Sequence, residues 1–171
     1  MRRFDSSKRI KIPKVIFLDY DGVLNNPYYM TTKSWEFRKQ PKCGYESDFD
    51  IKRVKILKEI CEETKAKVVV TSSWRGDIEA IAWLKDKGIP IIDTTPEVLR
   101  RGHRGDEIRA FLDQHEVDQY LIFDDETSDF NSELMEHVIC TRENYLDDLK
   151  EDWCSGLQKK HILWAKSMLN S

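Results

Sequence analysis

The residues with the most chemistry to offer are acids that follow apolar runs. The stretch "KVIFLDYDGVLNN", residues 14–26, drives an apolar, β-branched segment into Asp19, then puts Asp21 two positions on and Gly22 after it. Residues two apart on a strand face the same side, so both carboxylates can share a site if strand geometry persists to Asp21. Two neighbouring carboxylates repel; one must hold a proton, or both must face a cation. A strand ending in an ordinary acidic turn would give the same string, because Asp and Gly are common turn residues. A second apolar run, "LIFDDETSD", ends in Asp124 and Asp125, with Asp129 four residues beyond Asp125. On its own it reads as a solvated acidic loop. Gathered at one sheet edge, these five carboxylates would repel without a cation. An all-oxygen donor set suits Mg²⁺, which keeps several waters and meets a substrate phosphate.

Hydroxyls and cations complete the set. In "VVVTSSWR" the strand-like run stops at Thr71. The Thr71 hydroxyl and the backbone N–H groups of Ser72 and Ser73 are suitable donors to a phosphoryl oxygen. The alternative is that Ser72 or Ser73 caps the next helix. In "RRGHRGDEI", Arg104 stands at the start of a helical segment, and a guanidinium neutralises a phosphate bidentately. Arg100 and Arg101 suit a solvated basic turn better than Arg104 does, and His103 reads as a surface histidine.

These groups need elements to position them. "KVIFLD", "KVVV", "IPIID", "QYLIFDD" and "HVICT" read as short buried strands. "DIKRVKILKEICEET" has Ile51, Val54, Leu57, Ile60 and Cys61 along one helical stripe, with Asp50 as N-cap. "DIEAIAWLKDKG" reads as a helix ending on Gly88, and "GDEIRAFLDQHE" and "GLQKKHILWAKSML" as two more. Residues 25–50 have no clean period and contain Pro27, Pro41 and Gly44; they read as a loop or small flap. Strands alternating with helices predict a three-layer α/β fold, a parallel sheet with helices on both faces. Ligands of such sheets bind outside the carboxyl ends of the strands, where all the acids and hydroxyls above fall.

Composition narrows the function class. A chain of 171 residues suits one domain, here 1–171 with a flap at about 25–50. Charged residues make up 35%, but the net charge is only −3, which argues against a protein coated by nucleic acid and leaves room for a local basic patch. No apolar run approaches the roughly 20 residues of a membrane helix. The basic start, "MRRFDSSKRIKIPK", lacks the apolar core of a secretory signal. Cys43, Cys61, Cys140 and Cys154 are widely spaced without a CxxC pair, which predicts reduced thiols and a cytoplasmic protein.

The four constellations, in this order, resemble the haloacid dehalogenase (HAD) superfamily of aspartate-nucleophile phosphatases: DxDG at Asp19–Asp21, a hydroxyl at Thr71, a cation at Arg104, and acids after the fourth strand. "VVVTSSWR" and "GLQKKHILWA" are similar to the small HAD phosphatase domains of phage and bacterial RNA-repair polypeptides. The resemblance implies that Asp19 is the nucleophile and forms an aspartyl-phosphate, and that Asp21 is the general acid and base. It implies that Thr71 and Arg104 hold the phosphoryl oxygens. Mg²⁺ would be bound by an Asp19 oxygen, the Asp21 carbonyl and an acid of the last motif. Asp125 is favoured as that ligand, with Asp129 at the family's spacing for the second acid and Asp124 one shell out; a shift by one residue would exchange the pair. Residues 22–66 leave no room for a full cap beside their helix. An open site suits a bulky phosphorylated substrate such as an RNA or DNA end or a protein side chain.

The flap bears on that choice. "PYYMTTKSWEFRKQPK" mixes Tyr28, Tyr29, Trp35 and Phe37 with Lys33, Arg38, Lys39 and Lys42. Aromatics among cations suit stacked bases and phosphates; packing of Trp35 and Phe37 onto the body explains them equally well. Trp74 and Arg75 follow the second strand end and would line the same mouth. The competing readings are a phosphatase of phosphoproteins or small metabolites, and a HAD-fold binding module without catalysis, which the intact Asp19 and Asp21 disfavour. No GxxxxGK[ST] loop occurs, so any repair partner is expected on a separate chain.

Overall fold

The computed structural model describes residues 9–39, 44–98, 103–142 and 155–170. Lys42, Cys43, Arg100, Arg101 and Cys154, and the side chain of Phe37, fall outside that description. Among the described residues are five strands: β1 (Ile10–Leu18), β2 (Lys67–Val70), β3 (Ile91–Thr94), β4 (His115–Asp124) and β5 (Val138–Cys140). All pair in parallel, in the order β3-β2-β1-β4-β5. The helices are α1 (Pro27–Thr32), α2 (Ser34–Arg38), α3 (Ile51–Thr64), α4 (Ile78–Asp86), α5 (Arg104–Gln114), α6 (Ser132–Met135) and α7 (Lys160–Leu169).

The strand order explains the layers. The chain steps outward from β1 to β3, then returns past β1 to β4 and β5. Right-handed crossovers put helices made on the outward steps on one face and those made on the return on the other. Ile16 and Leu18 of β1 accordingly pack with Val54, Leu57 and Ile60 of α3 and Leu84 of α4; α7, which follows the last strand, adds Ile162 and Ala165 to the same face. Val15 and Phe17 face the other way, onto Ile108 and Phe111 of α5 and Leu134 of α6. Val15–Leu18 are wholly buried; each such side chain contributes about 1.5–3 kcal/mol relative to exposure. The fold is the expected three-layer arrangement.

Two expectations change. Residues 25–50 are not a plain loop: Asn26 caps α1 by accepting from the Tyr29 N–H at 2.7 Å, with Pro27 in the first turn. Helix α2 and a 3₁₀ turn at Tyr45–Ser47 follow. The segment is pinned down by Phe49, which is fully buried and meets Tyr20, Tyr45, Trp74 and Trp83 at ring-centroid distances of 5.0–5.9 Å. Helix α4 is capped by Asp77, which accepts from the Ala80 N–H, and not by Ser72 or Ser73. Asp50 caps α3 as the pattern predicted. No helix among the described residues is long and apolar enough to cross a membrane.

Candidate active site

Three adjacent strands end at one level. The ladders pair Leu18 with Val70 of β2 and Phe123 of β4, so the next residue on each strand is Asp19, Thr71 and Asp124. The Asp19 N–H donates to the Phe123 carbonyl at 3.0 Å, and the Thr71 N–H to the Leu18 carbonyl at 2.9 Å. Period-two alternation turns these three side chains to the α5 face, two residues beyond Phe17, Val69 and Ile122. Helix α5 starts at the same edge because it returns from the carboxyl end of β3, and its first residue is Arg104. The Arg104 guanidinium donates to Asp19 Oδ2 at 2.5 Å and also to Asp124 Oδ2. Gly105 lets α5 come this close: a Cβ there would lie 2.7 Å from the Asp129 carbonyl oxygen.

The acids form a buried cluster. Asp19, Asp124 and Asp125 each offer a carboxylate oxygen, all within 4.8 Å of one another. Asp19 Oδ1 accepts from the Tyr20 N–H, and Asp124 Oδ1 from the Glu126 N–H. Burial pushes the Asp124 carboxyl up to about 7, against the pull of Arg104 and with the Asp19 charge adding to the rise. Burial also raises Asp125, opposed by Arg142, whose guanidinium lies 3.5 Å away. Burial disfavours the charge on Arg104, but Asp19 and Asp124 outweigh it and hold the guanidinium firmly protonated. These are the marks of carboxylates short of positive charge. The oxygen-only donor set fits a hard divalent cation such as Mg²⁺.

Asp21 stands apart. Strand geometry stops at Leu18, and the Val23 and Leu24 N–H groups bond back to the Tyr20 carbonyl in a tight turn. Asp21 is exposed on that turn and lies outside the acid cluster. Asn25 holds it: the Asn25 amide donates to Asp21 Oδ1 at 3.0 Å and to the Asp48 carbonyl at 2.9 Å, and accepts from the Gly22 N–H. Gly22 has φ +68°, and a Cβ on it would lie 2.3 Å from Asp125 Cγ. Thr141, at the end of β5, closes the turn by donating to the Gly22 carbonyl at 2.7 Å.

On the other side of Arg104 lies a cavity of about 180 Å³, lined by Thr71, Ser73, Arg75, His103, Glu107 and Asp129 as well as Arg104 itself. Thr71 Oγ1 is buried and has no hydrogen-bond partner in the protein; such a group is rare without a ligand or water to satisfy it. Asp129 is exposed at this cavity and lies outside the cluster of Asp19, Asp124 and Asp125. Arg75 forks onto Glu107 of α5. Ser72 is buried, with its hydroxyl accepting from the Trp74 N–H at 3.3 Å, and Trp74 packs half-buried on Phe49. Trp35 is 47% exposed on the flap. Its indole N–H donates to the Thr32 carbonyl, and the Lys39 ammonium lies 4.1 Å from its ring centre.

The Arg104 guanidinium, bound to the buried Asp19 carboxylate, shares this cavity with the unpartnered Thr71 hydroxyl, two donor groups of the kind that bind oxyanions. The model of the HAD domain in Swiss Army Knife RNA repair proteins matches residues 15–150. The chain belongs to this family. The match runs from the middle of β1 past β5 and includes every acid, hydroxyl and cation described above. Membership implies activity of the phosphohydrolase type. No curated protein matches the chain. Asn25, Glu107, Thr141 and Arg142 were not singled out in the sequence. Asn25 alone had a local signal, an amide four residues after Asp21.

Proposed function

We propose that the protein is a Mg²⁺-dependent phosphomonoester hydrolase that works through an aspartyl-phosphate and acts on a nucleic-acid end. The observation that carries the reading is the setting of Asp19, with Arg104 at 2.5 Å on one oxygen and the orphaned Thr71 hydroxyl at the same level of the adjacent strand. Asp19 attacks phosphorus as the bond to the leaving oxygen breaks, and Asp21, protonated, gives its proton to that oxygen. Asp21, now a carboxylate, takes a proton from water as the water attacks the phosphorus of the intermediate. Phosphate leaves and Asp19 is restored. Thr71 and Arg104 hold the non-bridging oxygens, with the Ser72 and Ser73 backbone N–H groups near them. Asp19, the Asp21 carbonyl and Asp125 or Asp124 would hold the Mg²⁺, which supplies charge neutralisation between the acids and the phosphoryl group.

The nucleic-acid end is supported by the family's RNA-repair setting and by the aromatic and basic flap next to the Asp21 turn. The test is hydrolysis of an aryl phosphate and of end-phosphorylated oligonucleotides with Mg²⁺ and with chelator. Asp19→Asn should abolish turnover of both, because an amide is no useful nucleophile. Near-normal turnover in that variant would overturn the mechanism.

A further inference from the structure

A second cavity lies at the same sheet edge, on the opposite face from Arg104. Helix α3 follows β1 and therefore begins at the carboxyl edge, so Asp50, Ile51 and Lys52 stand there. Across from them is α1, which starts two residues after Asn25. The space between them is a cavity of about 360 Å³ lined by Tyr28, Lys33, Glu36, Ile51 and Lys52, with Tyr29 and Asp50 behind. Its walls join the residues that hold Asp21: the Asp50 N–H donates to the Leu24 carbonyl at 2.8 Å, and the Asp48 carbonyl accepts from Asn25. Since successive Cα atoms are about 3.8 Å apart, Tyr28 and Asp50 are within three residues and a short reach of those anchors.

We infer that this cavity seats a nucleobase of the substrate strand near its phosphorylated end, stacked on Tyr28, with Lys33 and Lys52 on the flanking phosphates. The inference rests on the nucleic-acid reading above. Four features select a base. Tyr28 and Ile51 give an apolar wall with a ring in it. Lys33 and Lys52 are exposed and form no ion pair among the described residues, whereas Asp50 is neutralised by the buried Arg53. Glu36 on the rim disfavours a second phosphate inside the cavity and can accept from an exocyclic amine. Trp35, the other aromatic candidate, has its indole N–H taken by Thr32 and Lys39 over its ring. A ring for stacking beside free cations is how strands are held without sequence readout.

The experiment compares kcat/KM for an end-phosphorylated oligonucleotide with that for an aryl phosphate, in the wild-type protein and four variants. Tyr28→Ala should lower the ratio by roughly tenfold, and Tyr28→Phe, which keeps the ring, should restore it. Lys52→Ala should reduce the log–log salt slope of oligonucleotide KM by about 0.7, the share of one phosphate contact. Lys55→Ala removes the same charge from the exposed face of α3 outside the cavity and should change neither quantity. An unchanged ratio in a folded Tyr28→Ala protein overturns the inference. Should Tyr28→Ala fail to fold, an unchanged salt slope in Lys52→Ala overturns it instead. A loss equally large on a phosphopeptide also overturns it, since the cavity would then serve a polypeptide. If the wild-type protein cleaves the aryl phosphate and no oligonucleotide, the substrate reading falls and this inference with it. If it cleaves oligonucleotides and the variants match wild type, only the cavity assignment falls.

Discussion

Arg75 and Glu107 meet through two parallel hydrogen bonds of 2.7 Å, Nη1 to Oε2 and Nη2 to Oε1. Arg75 follows β2 by five residues and Glu107 lies in the first turn of α5. The fork therefore ties the strand end that carries Thr71 to the helix start that carries Arg104. Its effect is positional, because the pair carries no net charge toward a phosphate. Glu107→Gln should loosen both groups proposed to bind phosphate, Thr71 and Arg104, together. We expect KM for an aryl phosphate to rise several-fold and the protein to lose about 1–3 kcal/mol, less than a fully buried pair because about a fifth of the Arg75 side chain is exposed. A double-mutant cycle with Arg75→Ala isolates the coupling. Additive effects of the two changes would show that the fork is idle.

Asn25 sets the position of the proposed general acid, since its amide bridges the Asp21 carboxylate and the Asp48 carbonyl. Asn25→Ala should lower kcat by about 10²-fold on an alkyl phosphate, the lower end of what a positioned acid contributes. An aryl phosphate, whose leaving group needs little protonation, should lose far less. Equal losses on the two esters would mean that Asn25 merely holds the turn.

We propose different duties for the two adjacent acids at the end of β4. Both Asp124 oxygens are engaged, one by the Glu126 N–H and the other by Arg104. Asp125 packs against the Gly22 backbone in the turn after Asp19, with Arg142 as its ion-pair partner at 3.5 Å. Asp125→Ala should therefore raise the Mg²⁺ concentration needed for half-maximal activity more than Asp124→Ala. Asp124→Ala should act chiefly by releasing Arg104. A Mg²⁺ titration of the two variants decides, and the reverse order would exchange their duties.

What could be read from the sequence follows from the range of each signal. The strand ends were legible because an apolar run that stops on an acid or hydroxyl is a local pattern, and Asp19, Thr71 and Arg104 come together wherever that pattern is folded into a parallel sheet. The stripe of α3 and its Asp50 cap were equally local. Helices α1 and α2 were missed because five or six residues show no period; the Asn26–Pro27 start was the available clue. The first halves of β1 and β4 were missed because they extend past the other strands and pair charged residues. Lys11 lies 3.3 Å from Asp118 and 3.8 Å from Glu116, and Pro13 is tolerated where β1 has only β4 beside it. The Arg75–Glu107 fork joins residues on different elements, and neither residue type predicts the other. A shared Asp19–Asp21 face was conditional on strand geometry reaching Asp21, and β1 ends at Leu18 with a turn after it.

The last prediction concerns acid stability and lies away from the site. His161, in the first turn of α7, is wholly buried among Phe123, Trp164 and the α3 side of the core. Its Nδ1 accepts from the Gln158 N–H at 3.1 Å, so the proton of the neutral ring sits on Nε2, which has no partner. Burial, with some help from the Lys160 charge, lowers its pKa to about 4. The unfolded chain holds an ordinary histidine near 6.5, so between about 6.5 and 4 the unfolded state binds more protons than the folded one. The stability contributed by the neutral ring is full above about 6.5 and is lost as pH falls toward 4, amounting to roughly 3 kcal/mol at the acid end. His161→Leu should flatten that part of the profile, keep the ring's apolar contacts in part, and remove an unsatisfied buried N–H. Urea unfolding of both proteins at a series of pH values between 4 and 7 measures the slope. Parallel profiles would show that His161 titrates normally and that the acid sensitivity of the fold resides elsewhere.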